Sequence, residues 1–197
     1  VHQLLKLNYK KVYIIDKSKP ERLTDKRLEY KELDLACEDY SVLDSISDID
    51  TLIITAGFGR VALFTDLTEL EMINSFKVNA LAAIRIIKHY YAKIAGNSPF
   101  YTAVIGSIAG LLVSPFFSIY GATKAALVKF IESVNIELEK GGSDNKILNV
   151  SPGQLKGTRF YGGENDPELT MELAREILER MLAKETLFIP DYETVYK

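Results

Sequence analysis

The sequence predicts an α/β fold: a doubly wound parallel sheet with helices on both faces. Short apolar runs of strand length alternate with longer stretches of three- and four-residue periodicity, the pattern of strands joined by covering helices. The 197 residues suffice for one domain with a sizeable core and fall short of two ordinary ones. Apolar residues make up 47% of the chain, which argues against disorder. Residues 1–197 are therefore read as one domain.

Taken in order, Val1 to Lys10 reads as the tail of a helix, and Lys11 to Asp16 as a buried strand ending in an acid. Leu28 to Asp34 is a weaker strand of alternating character, and Thr51 to Thr55 a strong one closed by Ala56-Gly57. Thr68 to Ala95 carries Leu70, Ile73, Phe76, Ala80, Ile84 and Ile87 at helical steps. Thr102 to Ser107 is a further strand. Tyr120 to Lys140 is a helix carrying Ala125, Leu127, Val128, Ile131, Val134 and Leu138, ended by Gly141-Gly142. Lys146 to Val150 is the fifth strand, closed by Pro152-Gly153. After the flexible loop Gly162-Gly163-Glu164-Asn165, Asp166 is placed to cap a helix over Pro167 to Lys184. Leu187 to Tyr192 reads as a short final strand or edge segment.

Composition narrows the function. A net charge of −3 with scattered Lys and Arg argues against nucleic acid as a partner, since phosphate binding needs a basic surface. The small cluster Lys6, Lys10, Lys11, Lys17 and Lys19 reads as a solvated helix end and loop. Cys37 is the only cysteine, which fits a reducing compartment and a packing role. His2 and His89 are too few for a zinc site without carboxylate help, so no metal is expected. No apolar run approaches the roughly 20 residues of a membrane span, and the expectation is a soluble, cytoplasmic protein with no membrane partner.

Four residues carry chemistry. In Tyr120-Gly121-Ala122-Thr123-Lys124 the phenol and the ammonium stand four apart, on one helix face. A nearby cation favours the phenolate, which suits proton exchange with an alcohol near neutrality. Ser107 closes its strand at the carboxyl end, where open parallel sheets bind ligands; its hydroxyl serves either to bond a substrate oxygen or to tighten the turn before Ala109-Gly110. Asn79 interrupts an apolar helix, where a buried amide needs a partner and an exposed one does not.

In this order and context Asn79, Ser107, Tyr120 and Lys124 resemble the catalytic tetrad of the short-chain dehydrogenase/reductase family. Thr55-Ala56-Gly57 is similar to that family's Asn-Ala-Gly strand end, and Pro152-Gly153 falls where the family places its nicotinamide-side loop. The resemblance covers Lys11 to Thr158 and implies a Rossmann-type fold and an NAD(P)-dependent oxidoreductase interconverting a carbonyl and an alcohol. By it, Tyr120 is the general acid/base, Lys124 holds the nicotinamide ribose and stabilises the phenolate, Ser107 polarises the substrate oxygen, and Asn79 supports a water relay. Ala56, Gly57, Pro152, Gly153, Leu155 and Thr158 are expected against the cofactor.

On the cofactor side, Asp16 ends its strand where this fold reads the adenosine ribose. A carboxylate there accepts from both ribose hydroxyls and repels a 2′-phosphate, so NAD is expected, with NADP the alternative because Lys17 and Lys19 follow. Asp34 resembles the residue that meets the adenine, or serves as a turn acid. The family's opening strand and Gly-rich turn do not precede Asp16, so Val1 is read as other than the natural start, and the C-terminus as minimal or clipped. Gly157 stands where the family has Thr, with Thr158 one residue later.

Leu111, Leu112, Val113, Pro115, Phe116 and Phe117, with Phe160 and Tyr161, stand where the family places its substrate pocket; they serve a largely apolar carbonyl or alcohol, or pack the loop. Arg159 is the one candidate for a substrate carboxylate or phosphate. The other functional readings are a non-catalytic dinucleotide sensor or structural relative, and a dehydratase or epimerase on the same scaffold. By resemblance a homodimer or homotetramer is expected through the helices at Thr68–Ala95 and Tyr120–Lys140, where Tyr90, Tyr91, Phe130 and Ile131 serve that contact or the core.

Overall fold

A computed structural model describes residues 1–20, 24–155, 158 and 166–192, Pro167 by its backbone alone. The predicted residues Gly157, Arg159, Phe160, Tyr161 and Gly162 to Asn165 lie outside the described ones. The chain forms two compact units, Val1–Ile49 and Asp50–Lys197.

In the first unit, helix α1 (His2–Lys6) is followed by strands β1 (Val12–Asp16) and β2 (Leu28–Glu32), which pair in parallel from Val12↔Leu28 to Asp16↔Glu32. The second strand stops two residues short of the expected Asp34, and Leu33 instead turns inward and is buried. With Leu43 and Ile46 it forms the unit's apolar centre. The Arg27 guanidinium bonds the Leu5 carbonyl at 3.1 Å and so ties α1 to the start of β2.

The second unit holds a four-stranded parallel sheet in the order β3 (Thr51–Ile54), β4 (Tyr101–Ile105), β5 (Ile147–Val150) and β6 (Leu187–Phe188). Every residue of β5 and the three central ones of β4 are buried, so both faces of these strands are covered, as a parallel sheet requires. The cover comes from α3 (Ala82–Ile94, described with α2 below), α4 (Ser118–Lys140) and α5 (Pro167–Leu182). This is the predicted α/β, Rossmann-like arrangement of parallel strands and flanking helices. Among the described residues, β1 pairs with β2 alone and β3 with β4 alone.

The helix expected over Thr68–Ala95 runs as α2 (Glu69–Phe76), a π-helical turn (Lys77–Leu81) and α3, with right-handed backbone at both junctions. Thr68 opens it with a reciprocal capping box to Glu71. Its periodicity does not mean uniform burial: Ala80, Ala83 and Ile87 are buried, while Leu70, Ile73 and Phe76 are exposed. Of the residues expected at a subunit contact or in the core, Tyr90 and Ile131 are core residues. Helix α4 buries Lys124, Leu127, Val128, Ile131, Val134 and Leu138 in one stripe. It ends as predicted at Gly141-Gly142. Gly142 takes φ +78°, a left-handed value that suits a residue without Cβ, while Ser143 N–H bonds the Leu138 carbonyl at 2.9 Å. The Asp166 carboxylate caps α5 by accepting from Glu168 N–H at 3.0 Å. Among the described residues no helix is long and apolar enough to cross a membrane.

Candidate active site

A cavity of about 610 Å³ opens at the carboxyl ends of β3, β4 and β5, the place where parallel α/β sheets leave room for a ligand. Strand β4 delivers Ser107 to it, two residues beyond its last paired residue. The turn is fixed from β5: Gly106 N–H bonds the Val150 carbonyl at 2.7 Å and Ile108 N–H the Pro152 carbonyl at 2.9 Å. Ser107 is buried, and its Oγ accepts from Ala109 N–H at 3.2 Å. The turn-tightening role is therefore present, and the hydroxyl hydrogen is left for another acceptor. Gly110 allows this turn to lie on α4, because a Cβ there would sit 2.8 Å from the Lys124 backbone carbonyl.

The first turns of α4 bring Tyr120 and Lys124 to the same cavity. Tyr120 is half-buried, its ring tilted against Phe117 with centroids 5.8 Å apart. Lys124 is only 3% exposed, and its Nζ lies 5.8 Å from the Tyr120 ring centroid. That Nζ donates to the Ile105 carbonyl at 2.9 Å. Burial of the ammonium pushes its pKa down from 10.5 to about 8. Gly57 packs directly on this group: a Cβ there would stand 3.1 Å from Lys124 Nζ and 3.4 Å from Asn79 Oδ1.

Asn79 lies in the π-helical turn, 1% exposed, and does not line the cavity. Its amide is fully engaged with protein groups. Oδ1 accepts from Phe58 N–H at 2.9 Å, while Nδ2 donates to the Phe58 carbonyl at 2.8 Å and to Thr123 Oγ1 at 3.1 Å. The partner that a buried Asn requires is thus the cavity wall itself.

Of the residues expected at the cofactor, Gly57, Tyr120, Lys124, Pro152, Gly153, Leu155 and Thr158 line the cavity, and Ala56 is not among the lining residues. Thr158 Oγ1 donates to the Leu155 carbonyl at 3.0 Å. Leu112, Val113 and Phe117 of the expected substrate loop line it; Leu111, Pro115 and Phe116 do not. Asp16 and Asp34 belong to the first unit. Both are exposed, and each carboxylate accepts a nearby backbone amide, Ser18 N–H at 3.0 Å and Ala36 N–H at 2.9 Å.

A known family matches this chain over residues 33–168, and its description is short chain dehydrogenase. The chain belongs to the short chain dehydrogenase family. An uncharacterized oxidoreductase of Bacillus subtilis, YvrD, is 32% identical over 111 residues, covering 56% of this chain and 41% of that protein. The chain spans less than half the length of the first curated relatives it matches, between 34% and 45%. Among solved structures, an alcohol dehydrogenase of the archaeon Thermococcus sibiricus complexed with 5-hydroxy-NADP superposes with a TM-score of 0.70 at 21% identity, covering 83% of this chain and 74% of that one. A short chain dehydrogenase/reductase of Burkholderia phymatum in complex with NAD gives 0.68 at 15% identity, covering 86% and 73%. These likenesses show the fold.

Membership in the family accounts for the cavity's position, and the structure adds wall residues that the sequence did not point to. Phe58, Gly59, Ile108 and Gln154 also line the cavity. Phe58 and Gln154 directly follow Ala56-Gly57 and Pro152-Gly153 in the chain. Thr123, inside the Tyr-x-x-x-Lys segment, emerges from its bond to Asn79.

Proposed function

We propose that this chain carries the catalytic centre of an NAD(P)-dependent oxidoreductase that interconverts a carbonyl and an alcohol. One observation carries the reading: Ser107, Tyr120 and a buried Lys124 meet at a single cavity beyond the strand ends. The residues of the wall fit the nicotinamide end of a dinucleotide. Gly57 leaves the backbone open beside Lys124, and a buried lysine whose ammonium reaches the cavity wall can hold a ribose hydroxyl. The bound cofactor supplies or accepts the hydride.

The chain's own groups handle the proton. In the reductive direction Tyr120 gives its phenolic proton to the oxygen as that oxygen gains charge, and Ser107 Oγ–H donates a hydrogen bond to the same oxygen. Lys124, charged below pH about 8, favours the phenolate that remains. Asn79 holds the wall from behind and, by family resemblance, supports the return of protons from solvent. Asp16 favours NAD over NADP for the reason of charge given above.

The substrate is a small, largely apolar molecule, because Phe58, Ile108, Leu112, Val113, Phe117 and Leu155 bring apolar side chains to the wall and Lys124 is its one cation among the described residues. The whole protein is a cytoplasmic homodimer or homotetramer. The exposed Leu70, Ile73 and Leu81 on one helix and Ile136 on α4 support association through these helices.

Replacing Tyr120 by Phe tests the mechanism. Turnover of an uncharged ketone should fall roughly 10²–10⁴-fold, as loss of a general acid/base does, while NADH or NADPH binding followed by nicotinamide fluorescence stays the same. Undiminished turnover would remove the acid/base role; binding of dinucleotide with no turnover in the unaltered protein would favour a non-catalytic sensor.

A further inference from the structure

A single buried hydroxyl joins the two helices behind the cavity. Thr123 is 0% exposed. Its Oγ1 accepts from Asn79 Nδ2 at 3.1 Å and donates to the Tyr120 carbonyl at 2.7 Å. The bond to its own helix is common for Thr and fixes where the hydroxyl hydrogen points. A lone pair is then aimed outward, and Asn79 fills it. Because a carboxamide is planar, the two bonds that Asn79 makes to the Phe58 backbone set the direction of its remaining N–H. A directional chain therefore runs from Phe58 in the cavity wall through Asn79 and Thr123 to the turn that bears Tyr120.

That turn needs holding. The N-cap of α4, Phe117, makes no side-chain cap bond, and Gly121 follows Tyr120 at once. A glycine and an absent side-chain cap both weaken a first helical turn. We propose that Thr123 is a positioning residue: it ties Asn79 to the first turn of α4 and so sets Tyr120 and Phe58 relative to one another across the cavity. The catalytic part of this proposal rests on the reading of Tyr120 as the acid/base.

The test compares the protein as it stands with Thr123→Val, which keeps the volume and loses both bonds, and with Thr123→Ser, which keeps the hydroxyl. Amide hydrogen exchange reads the tie without any need for turnover. In Thr123→Val the Phe58 amide should exchange about tenfold faster, corresponding to about 1.4 kcal/mol of lost local protection, while the amides of β5 keep theirs. Steady-state assays with an uncharged ketone and NADH or NADPH should give about tenfold lower kcat with KM within about twofold, and a displaced pH–rate limb. Thr123→Ser should restore the exchange rate, kcat and pH profile. The proposal is overturned by unchanged Phe58 exchange in Thr123→Val, by protection lost equally everywhere, by unchanged kcat despite faster exchange, or by a serine variant that behaves like the valine one. Absence of turnover in the unaltered protein would count against the acid/base reading, and the exchange experiment would still decide the tie.

Discussion

Two lysines sit at opposite ends of strand β4 and live in different ways. Lys184 Nζ donates to the carbonyl of Phe100, just before the strand, and Lys124 Nζ to that of Ile105, its last residue. Lys184 also donates to Asn145 Oδ1 at 2.5 Å and lies 4.4 Å from the Tyr101 ring centroid. Burial lowers the pKa of both, but Asp144 opposes the effect at Lys184. Around Lys184 the polar groups satisfy one another: Asn145 accepts from Phe100 N–H and donates to the carbonyls of Ile94, Gly96 and Ser98. Among the described residues Lys124 has one carbonyl, an aromatic ring and a cavity. A buried charge with so few partners costs stability, and such costs persist where a site needs the charge. The amino end of the sheet is built as a knot, and the carboxyl end as a site.

The largest effect that separates the two ends is on turnover. Lys124→Met should reduce kcat of carbonyl reduction by roughly 10²–10³-fold, the usual range for a group that stabilises developing charge, while Lys184→Met leaves kcat within about twofold. In the unaltered protein reduction should also decline as pH rises through about 8, where Lys124 loses its proton. Equal losses in the two variants would erase the distinction.

The next effect is on stability and has a definite sign. The pKa of Lys124 is about 8 in the folded protein against 10.5 ordinarily. Below pH 8 the group is charged in both states and the burial cost is fully present. Between pH 8 and 10.5 the unfolded chain binds the extra proton, so folding stability rises with pH, by about 3 kcal/mol in total. Above 10.5 both states are neutral and the gain is complete. Urea unfolding at pH 7 and pH 10.5, read as the difference between the unaltered protein and Lys124→Met, cancels the groups common to both. A difference that stays constant with pH would place Lys124 in solvent.

How far these features are legible in the sequence follows from what each depends on. Apolar runs set the strands, so the six strands of the described residues were readable; the ends of the first five moved by up to two residues and that of the last by four, because the last ladder bonds depend on the neighbouring strand. The helical period of Thr68–Ala95 was readable, and the π turn within it was not: one shifted hydrogen bond leaves the side-chain pattern almost unchanged. Asn79 in an apolar run was its only trace. Periodicity also marks a face without saying what covers it, which is why Leu70 and Ile73 share the pattern of Ile87 and not its burial. Within the site, Tyr120 and Lys124 were readable because four residues make one helix turn, and Ser107 because it follows a strand. Phe58, Gln154 and Thr123 depend on where loops and a second helix meet, and a linear spacing does not carry that information.

The smallest effects belong to the knot, and they sharpen the comparison most. Asn145→Ala removes a carboxamide that holds Phe100 N–H, three carbonyls and Lys184 in a buried setting. The orphaned backbone groups should cost about 2–3 kcal/mol of stability. Lys184→Met removes one donor from the same arrangement. Its loss should be nearer 1 kcal/mol, because relief from desolvation offsets part of the lost bonds and the group is partly exposed. Since the two side chains bond each other, their effects should not add. A double-mutant cycle by urea unfolding should give a coupling of about 1 kcal/mol, and neither variant should change kcat by more than about twofold. Strict additivity would mean that Asn145 and Lys184 act independently, and a kcat loss in either would mean that the amino end of the sheet also serves the site. With coupling in stability and none in catalysis, the two ends of β4 differ in purpose as they differ in how completely their lysines are satisfied.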